Sequence, residues 1–259
     1  MKLILIALLG LSLNVFSQSK DEADALWQQR GDDLNNAKLA AEMYEEVSKT
    51  VSTELTAAKL LLDASNAYYI YADYSKGKNL KKKFHTKGMN VAIRAQNLIK
   101  DTEEKALLAL AYYRHGINLG KWGKANGVAS SIKKAPKLRS LMKKVIKMGF
   151  ESMEFYGAHR TLGKLDFEIP KPLGGSKKRA YKALKIAFDN TQDESGVASV
   201  LGTNNLYLAD SFSNRGKKEE AIKILKGFLT LDPSIIPGRE FETKAEMEIA
   251  KEKLEKLSK

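Results

Sequence analysis

Helical periodicity is the feature that most constrains this 259-residue chain. Apolar side chains recur every three to four residues along nearly all of it, which is the spacing of an amphipathic helix. The stretch from Glu54 to Tyr74 is one example, and the stretch from Pro136 to Phe150 is another. Only the short segment 164–169 shows a trace of the two-residue alternation of a strand. We therefore predict an all-α fold.

Glycine and proline mark the expected ends of these helices. The segment Lys76–Asn79 ends one helix, and Gly120–Gly127 is expected to form a glycine-rich loop around Trp122. Ile169–Gly175 is the firmest linker, because neither of its prolines can lie inside a helix. None of these segments is long or low in complexity, so we expect residues 18–259 to form a single all-helical domain.

Two stretches of the chain resemble each other, one beginning at Gly175 and the other at Gly216. The second copy resembles the tetratricopeptide repeat, with Gly216 in the turn, small Ala221 in the second helix and Pro233 at its end. The first copy lacks the closing proline, so the array is degenerate. We expect antiparallel helical hairpins stacked into a right-handed superhelix, and the alternative is an irregular helical bundle.

The first 17 residues have the pattern of a secretory signal. Lys2 supplies the positive charge, Leu3–Leu13 supplies the apolar run, and Val15 and Ser17 occupy the small-residue positions of a cleavage site. A transmembrane anchor is the alternative, but the run is shorter than the roughly 20 residues that span a bilayer. We expect export to a Gram-negative periplasm with cleavage after Ser17. Because the chain has no cysteine, we do not expect a lipoprotein.

The charge is basic and unevenly distributed. Lysine and arginine number 44 against 31 acidic residues, for a formal net charge of +13. Three segments carry basic residues and no acidic ones, Lys76–Lys87, Lys133–Lys147 and Lys171–Lys185, whereas Lys20–Glu54 is acidic. Export and the lack of interleaved aromatic residues argue against nucleic acid. Three explanations of the basic segments remain: solvated helix faces, peripheral contact with an anionic membrane surface, and contact with an acidic protein.

The composition offers little for catalysis or for a cofactor. Without cysteine, and with His85, His115 and His159 far apart, the sequence predicts no metal site. Ser130 and Ser140 each precede a lysine by three residues, the spacing used by penicillin-recognising enzymes, but the partner motifs of those enzymes are missing. We predict that the protein is not an enzyme and has no cofactor; a serine hydrolase is the alternative.

Aromatic residues cluster in two places. Four tyrosines lie within two helical turns: Tyr68, Tyr69, Tyr71 and Tyr74. They cannot all face one core. We expect most of them to pack in the core and the others to line a groove or a partner surface. Tyr112, Tyr113 and Trp122 flank the predicted glycine-rich loop.

Several blocks of sequence resemble a known family. The blocks are 111–122 (AYYRHGINLGKW), 156–163 (YGAHRTLG), Ile169-Pro170, 173–176 (LGGS) and 205–210 (NLYLAD). Their order and spacing are similar to those of the T-component family of tripartite ATP-independent periplasmic (TRAP) transporters. The resemblance extends from about Thr86 to Leu257.

This resemblance implies a non-enzymatic, all-α periplasmic protein with cryptic tetratricopeptide-like hairpins. It also implies a solute-binding receptor as partner, and a ring-shaped homo-oligomer with pores for apolar or organic-acid ligands. Family members are often lipoproteins, and this chain departs from them in having no cysteine. We therefore predict a periplasmic binding protein that docks the solute receptor of a TRAP-type uptake system. The alternative is a cell-envelope scaffold or assembly protein.

The resemblance also suggests individual residues. The candidate ligand- or partner-binding residues are Tyr112, Asn118, Trp122, His159 and Arg160. The glycines of the motif, Gly163, Gly174 and Gly175, are expected to serve turns and close helix contacts. His159 and Arg160 are expected to start a turn before the proline linker. Arg160 suits a ligand carboxylate; the alternative is an internal salt bridge or a bond to a helix carboxyl end.

Overall fold

A computed structural model describes residues 19–259, so the predicted signal segment 1–17 lies outside the described residues. Apart from one isolated bridge between Gln192 and Ser199, the described residues contain helices, turns and loops, which confirms the all-α prediction. Two short 3-10 helices span Gln29–Gly31 and Lys171–Leu173. The α-helices of this part of the chain are α1 (Lys20–Gln28), α2 (Asn35–Val47), α3 (Glu54–Tyr74), α4 (Lys78–Ile99), α5 (Lys105–Asn126), α6 (Val128–Lys147), α7 (Met153–Glu168), α8 (Lys177–Asp189), α9 (Gly202–Asn214), α10 (Lys218–Leu229) and α11 (Glu240–Ser258).

Side-chain caps fix where several helices begin. The hydroxyl oxygens of Ser19, Thr53 and Ser176 accept backbone N–H groups at the starts of α1, α3 and α8. Ser19 and Glu22 form a reciprocal capping box, which satisfies two otherwise unpaired donors of the first turn. Because these signals are local, the bounds of α3 agree with the segment Glu54–Tyr74 predicted from the sequence.

The predicted hairpin near the C-terminus is formed by α9 and α10, which pack together. Gly216 lies in the connecting turn with a φ of +73°, a conformation that costs glycine little. Ala221 is fully buried where the two helices approach, and Pro233 follows the end of α10. The two-helix unit is thus confirmed, whereas the right-handed sense of the superhelix stays a prediction.

Glycine also sets the approach of α7 to α8. A Cβ atom on Gly163 would lie 2.6 Å from the Cγ of Leu184, and one on Gly175 would lie 1.8 Å from the carbonyl oxygen of Ile169. Both positions therefore require a residue without a side chain. Gly174 has a φ of +92° in the linker between the two helices.

The prediction of a glycine-rich loop at Gly120–Gly127 is wrong, because α5 continues through this segment to Asn126. The chain breaks only at Gly127, whose φ is +102°. Glycine inside α5 allows close packing instead, since a Cβ atom on Gly116 would lie 2.3 Å from the Cε of Met142 on α6. Contact with α6 thus offsets the roughly 1 kcal/mol that a glycine costs inside a helix.

Consecutive helices pack against each other and form two layers. The odd-numbered helices also contact one another, α3 with α5, α5 with α7, α7 with α9 and α9 with α11. The principal contacts of α4, α6 and α8 are instead with the helices before and after them in the chain. A stack in which one layer is in contact and the other is splayed must curve, so the odd-numbered helices form the inner layer and α4, α6 and α8 the outer layer.

A buried ion pair closes this curve by joining the two ends of the stack. Arg30, in the first 3-10 helix, donates from Nε and Nη2 to the two carboxylate oxygens of Glu242 on α11, at 2.8 and 2.9 Å. The two side chains are only 4% and 2% exposed. Arg30 also donates to the carbonyl oxygen of Trp27 at 2.9 Å and stacks over the indole ring.

Apolar contacts surround this pair. Phe241 packs against Tyr74 of α3, with ring centroids 5.0 Å apart, and lies against Gly31. The last helix thus contacts the first helices. From this closure we infer that the inner layer faces a concave surface, which we call the recess.

We expect the replacement of Arg30 by Leu to lower the free energy of unfolding by about 3–5 kcal/mol, because it leaves Glu242 charged, buried and unpaired. Glu242→Leu should cost a similar amount. The double variant should recover most of the loss, since two apolar side chains leave no unpaired charge. Denaturant unfolding of the four proteins measures this double-mutant cycle.

The exposed pair of Lys251 and Glu248 provides the matched control, and its removal should cost less than about 1 kcal/mol. If Arg30→Leu costs no more than this control, the two ends are not held by the buried pair.

Candidate functional site

The inner layer carries polar and aromatic side chains around the recess. Each odd-numbered helix from α3 to α11 contributes at least one of them. We call this group the inner cluster, and its members are Tyr69, Asp73, Tyr113, Lys121, Arg160, Tyr207 and Glu246.

An ion pair lies at the centre of the inner cluster. The Nζ of Lys121 lies 2.6 and 2.7 Å from the carboxylate oxygens of Asp73. Burial alone would raise the pKa of Asp73, but Lys121 outweighs it and holds that pKa below its usual value. Burial alone would lower the pKa of Lys121, but Tyr69 and Asp73 raise it well above its usual value. The pair is therefore charged at every physiological pH.

The surroundings of the same pair are consistent with a concave site. Burial is the largest influence on the pKa of both groups, as it is for Tyr69. Yet 28% of the Lys121 side chain and 26% of the Asp73 side chain remain exposed. Groups that are densely surrounded by protein and still reached by solvent lie at the bottom of a concave surface.

Tyrosine rings form part of the wall of this recess. The amine of Lys121 lies 5.6 Å from the ring centroid of Tyr69, and that of Lys164 lies 4.6 Å from the ring of Tyr207. Burial raises the pKa of Tyr69, so its hydroxyl stays protonated and is a hydrogen-bond donor. Within the described residues, the hydroxyls of Tyr69 and Tyr207 have no side-chain partner.

Glu246 is a second carboxylate of the inner cluster, and it is buried. Burial raises its pKa to about 6, although the positive charges of Arg239 and Arg160 oppose the shift. Arg239 lies 3.6 Å from one carboxylate oxygen, and the other oxygen is buried without a hydrogen-bond partner among residues 19–259. Glu246 is therefore the member of the inner cluster whose charge changes near neutral pH.

A left-handed turn interrupts α7 close to the recess. Glu154, Phe155 and Tyr156 have φ values of +52°, +56° and +57°. Each such residue costs about 1–2 kcal/mol unless its surroundings hold it. Arg160 does so, because its Nη1 donates to the carbonyl oxygens of Glu154 and Phe155, at 3.2 and 3.1 Å.

Arg160 also joins α7 to two other inner helices. Its Nη1 donates to Oδ1 of Asn204 on α9 at 3.1 Å, and its Nη2 donates to the hydroxyl of Tyr113 on α5 at 3.0 Å. The terminal nitrogens are therefore occupied by protein acceptors. This geometry does not support a carboxylate clamp at Arg160. Among the described residues it also shows neither an internal salt bridge nor a bond to a helix carboxyl end, because the carbonyl acceptors, Glu154 and Phe155, lie in the left-handed turn near the start of α7.

His159 and Arg160 were expected to start a turn before the proline linker, and this expectation is wrong. Both lie inside α7, which continues to Glu168. The turn falls earlier, at Glu154–Tyr156, and Gly157 directly after it is the local sequence signal. His159 lies beside Tyr156, with ring centroids 6.3 Å apart, and burial lowers its pKa.

Asn118 lies in a different place, fully buried between α3, α4 and α5. Its amide nitrogen donates to the Oγ of Ser65 at 3.2 Å and to the carbonyl oxygen of Arg114 at 3.0 Å. Its Oδ1 lies 3.2 Å from Nδ1 of His85, whose pKa is lowered to about 4 by burial. Asn118 therefore holds three helices together and does not face the recess.

Tyr112 and Trp122 lie where α5 meets α6. Lys144 is over the ring of Tyr112 at 4.7 Å, and Lys134 is over that of Trp122 at 5.7 Å. The structure thus does not bring the five candidate binding residues together, and Arg160 is the one that belongs to the inner cluster.

The four neighbouring tyrosines of α3 fall into two groups, as expected from their close spacing. Tyr68 and Tyr71 are buried and pack against Phe84, whereas Tyr69 and Tyr74 are half-buried beside the recess.

Sequence reasoning singled out Arg160 but missed Lys121, Tyr207, Asp73 and Glu246. Lys121 and Tyr207 lie inside the family-like blocks.

No motif marks Asp73 or Glu246, but their spacing gives a usable signal. Asp73 follows Tyr69 by one helical turn, and Glu246 follows Glu242 by one turn, so each acid shares a helix face with a buried or half-buried side chain. An acid on a helix face with buried side chains indicates a polar interior.

In residues 19–259 no set of three or more His, Asp and Glu side chains is arranged to hold a metal ion. No helix in this part of the chain is both long and apolar enough to span a bilayer.

Comparison with known proteins gives no family. No protein-family model matches the chain, and no curated protein matches it. One similar solved structure is described as "Computational Design of Self-Assembling Cyclic Protein Homooligomers". The similarity covers 92% of this chain and 93% of that one, with 16% sequence identity and a TM-score of 0.26. A similarity at this level carries no argument about function, and the fold described above is assigned from the helices of this chain alone.

We expect Arg160→Met to lower the free energy of unfolding by about 3 kcal/mol, because the carbonyls of the left-handed turn lose their donors. Arg160→Lys should recover little, since a single ammonium group cannot replace the two-pronged guanidinium. Denaturant unfolding measures the loss, and amide exchange at Glu154–Tyr156 should accelerate. Rescue of both readouts by lysine would show that only the charge matters.

The buried histidines predict a pH dependence. The unfolded chain protonates His85 below about pH 6.5, whereas the folded protein does so only near pH 4. Stability is therefore lost as the pH falls from 6.5 towards 4, by up to about 3 kcal/mol for this group. Unfolding curves between pH 7 and pH 4 should show a shallower loss for His85→Gln. His159→Gln is the control with a smaller effect, and parallel curves for wild type and His85→Gln would contradict the assignment.

Proposed function

We propose that the protein is an exported, non-catalytic helical-repeat binding protein that serves a TRAP-type solute uptake system. It docks the solute-binding receptor and accepts a small organic acid in the recess. The observation that carries the proposal is the inner cluster, where the amine of Lys121 and the hydroxyls of Tyr69 and Tyr207 lie in a solvent-reached concavity.

The positions of the family-like sequence blocks support this proposal. The blocks 111–122, 156–163 and 205–210 fall on α5, α7 and α9, which are neighbours in the inner layer. They contribute Tyr113, Lys121, Arg160 and Tyr207 to the inner cluster. Buried charges are a weak source of stability, so a packing role alone accounts poorly for such a group.

The chemistry of the recess suits a carboxylate. The ammonium group of Lys121 has three donors, and the carboxylate of Asp73 takes two of them. The third donor, together with the hydroxyls of Tyr69 and Tyr207, offers a ligand carboxylate three hydrogen bonds. The tyrosine rings supply apolar walls, as is usual in small-molecule sites.

The pH should influence this binding. Because the pKa of Glu246 is about 6, its negative charge disappears as the pH falls through that value. The recess then becomes more positive while the ligand carboxylate stays ionised. Affinity for an organic acid should therefore rise between pH 8 and pH 5.5.

Titration calorimetry with a panel of small mono- and dicarboxylic acids tests the ligand part of the proposal. At least one acid should bind, and Tyr207→Phe should weaken it several-fold because one hydrogen bond is lost without a change in shape. Lys121→Met should weaken it more than tenfold. Lys244→Met, on the exposed side of α11, is the control.

The ligand proposal fails if no acid binds, or if Lys121→Met and Tyr207→Phe bind as tightly as the control. Thermal unfolding of each variant must accompany the titration, because Lys121→Met leaves Asp73 unpaired.

Cross-linking in the cell envelope followed by capture tests the partner. A solute-binding receptor should be recovered with the protein. Recovery of only envelope-assembly proteins would replace the proposal by the scaffold function.

A further inference from the structure

The outer face of α6 carries a concentration of positive charge that the fold does not use. Six lysines lie on this helix, and none of them forms an ion pair with any residue of 19–259. On each of α1, α4, α8 and α11, by contrast, at least one lysine forms such a pair. The lysines of α6 are Lys133, Lys134, Lys137, Lys143, Lys144 and Lys147.

These charges repel one another. Lys133 and Lys137 are four residues apart, as are Lys143 and Lys147, so each pair lies on one helix face. Like charges at this spacing destabilise a helix by a few tenths of a kcal/mol. This repulsion opposes folding, and an external anion is a partner that would relieve it.

A groove of about 510 Å³ runs between α6 and the proline linker. The residues that line it include no acidic side chain. Ile132 and Leu173 are among its apolar residues, and Lys143, Lys144 and Lys147 lie at its other end. The groove is thus apolar near the start of α6 and cationic near its end.

Two protruding apolar side chains border the same face. Val128 is 72% exposed and Leu173 is 54% exposed, the largest values for big apolar residues in the described part of the chain. Val128 lies one helical turn before Ile132, and Leu173 lines the groove itself. Exposed aliphatic residues beside a row of lysines are the pattern of a surface that inserts shallowly into an anionic lipid interface.

Other partners suit this face less well. Lys144 and Lys134 cover the rings of Tyr112 and Trp122, so no aromatic surface is open for nucleobase stacking. An acidic protein would satisfy the lysines but not the aliphatic side chains.

The acidic helix α2 of a second copy also suits the face poorly. Its carboxylates are already paired, Glu42 with Lys87, Glu45 with Arg94 and Glu46 with Lys49.

We infer that the outer face of α6, with Val128 and Leu173 at its edges, docks the protein on an anionic lipid bilayer. The lysines attract the headgroups, and the two aliphatic side chains enter the interface between headgroups and acyl chains. This function is separate from the inner cluster, which faces the recess on the other layer.

Sedimentation with phosphatidylglycerol-containing vesicles at physiological salt tests the inference. The full chain should bind these vesicles and not vesicles of phosphatidylcholine alone. Replacement of Lys143, Lys144 and Lys147 by Gln should lower the partition coefficient about a hundredfold, since each lysine near such a surface contributes about 1 kcal/mol, which is roughly fivefold in the coefficient.

A control with the same loss of charge separates position from net charge. Replacement of Lys244, Lys251 and Lys256 on α11 by Gln should leave binding within about twofold of wild type. The inference is wrong if both triple variants lose binding equally. Circular dichroism and thermal unfolding check that each variant is folded.

Leu173→Ser distinguishes a bilayer from an acidic protein. It should weaken vesicle binding several-fold while leaving the weak binding of polyglutamate unchanged. Strong polyglutamate binding with no vesicle binding would overturn the inference in favour of an acidic protein partner. Titration of the lysine variant with organic acids should be unaffected, so failure at α6 is distinguishable from failure at the inner cluster.

Discussion

The buried pair of Arg30 and Glu242 is the contact on which the rest of the arrangement depends. It joins residues 212 positions apart and has both carboxylate oxygens hydrogen-bonded. A buried ion pair adds little net stability compared with apolar side chains of the same size, because desolvation costs about as much as attraction returns. The role of the pair is to fix the orientation of α11. Only one face of this helix can present Glu242 to Arg30, so the pair determines how the last helix closes the stack.

Closure gives the two layers different environments. The inner helices face a recess in which Lys121 pairs with Asp73, while Glu246 pairs with Arg239. The left-handed turn before Arg160 is stabilised by the same side chain that joins α7 to α5 and α9. The outer helices splay, and the gap between α6 and the linker to α8 becomes a groove with unpaired lysines. The curvature therefore separates a polar inner surface from a basic outer surface.

The sequence predicts the local parts of this structure well and the long-range parts poorly. Periodicity and caps are local, so the bounds of α3 and the turn at Gly216 follow from the residues themselves. Glycine is ambiguous, because it ends a helix at Gly127 but permits close packing at Gly116, and only the facing residue decides. No pattern links Arg30 to Glu242. The inner cluster was visible only in part, since its members come from five helices that only closure brings together.

An engineered disulfide tests the closure most directly. A Cβ atom on Gly31 would lie 3.4 Å from the Cβ of Phe241, close to the separation of about 3.8 Å found in disulfides. Because the chain has no cysteine of its own, the pair Gly31→Cys and Phe241→Cys can form only one intramolecular bond. Closure predicts that mild oxidation of the folded double variant gives a monomeric cross-linked chain in high yield. A folded variant that keeps two free thiols, or cross-links only between molecules, would contradict it.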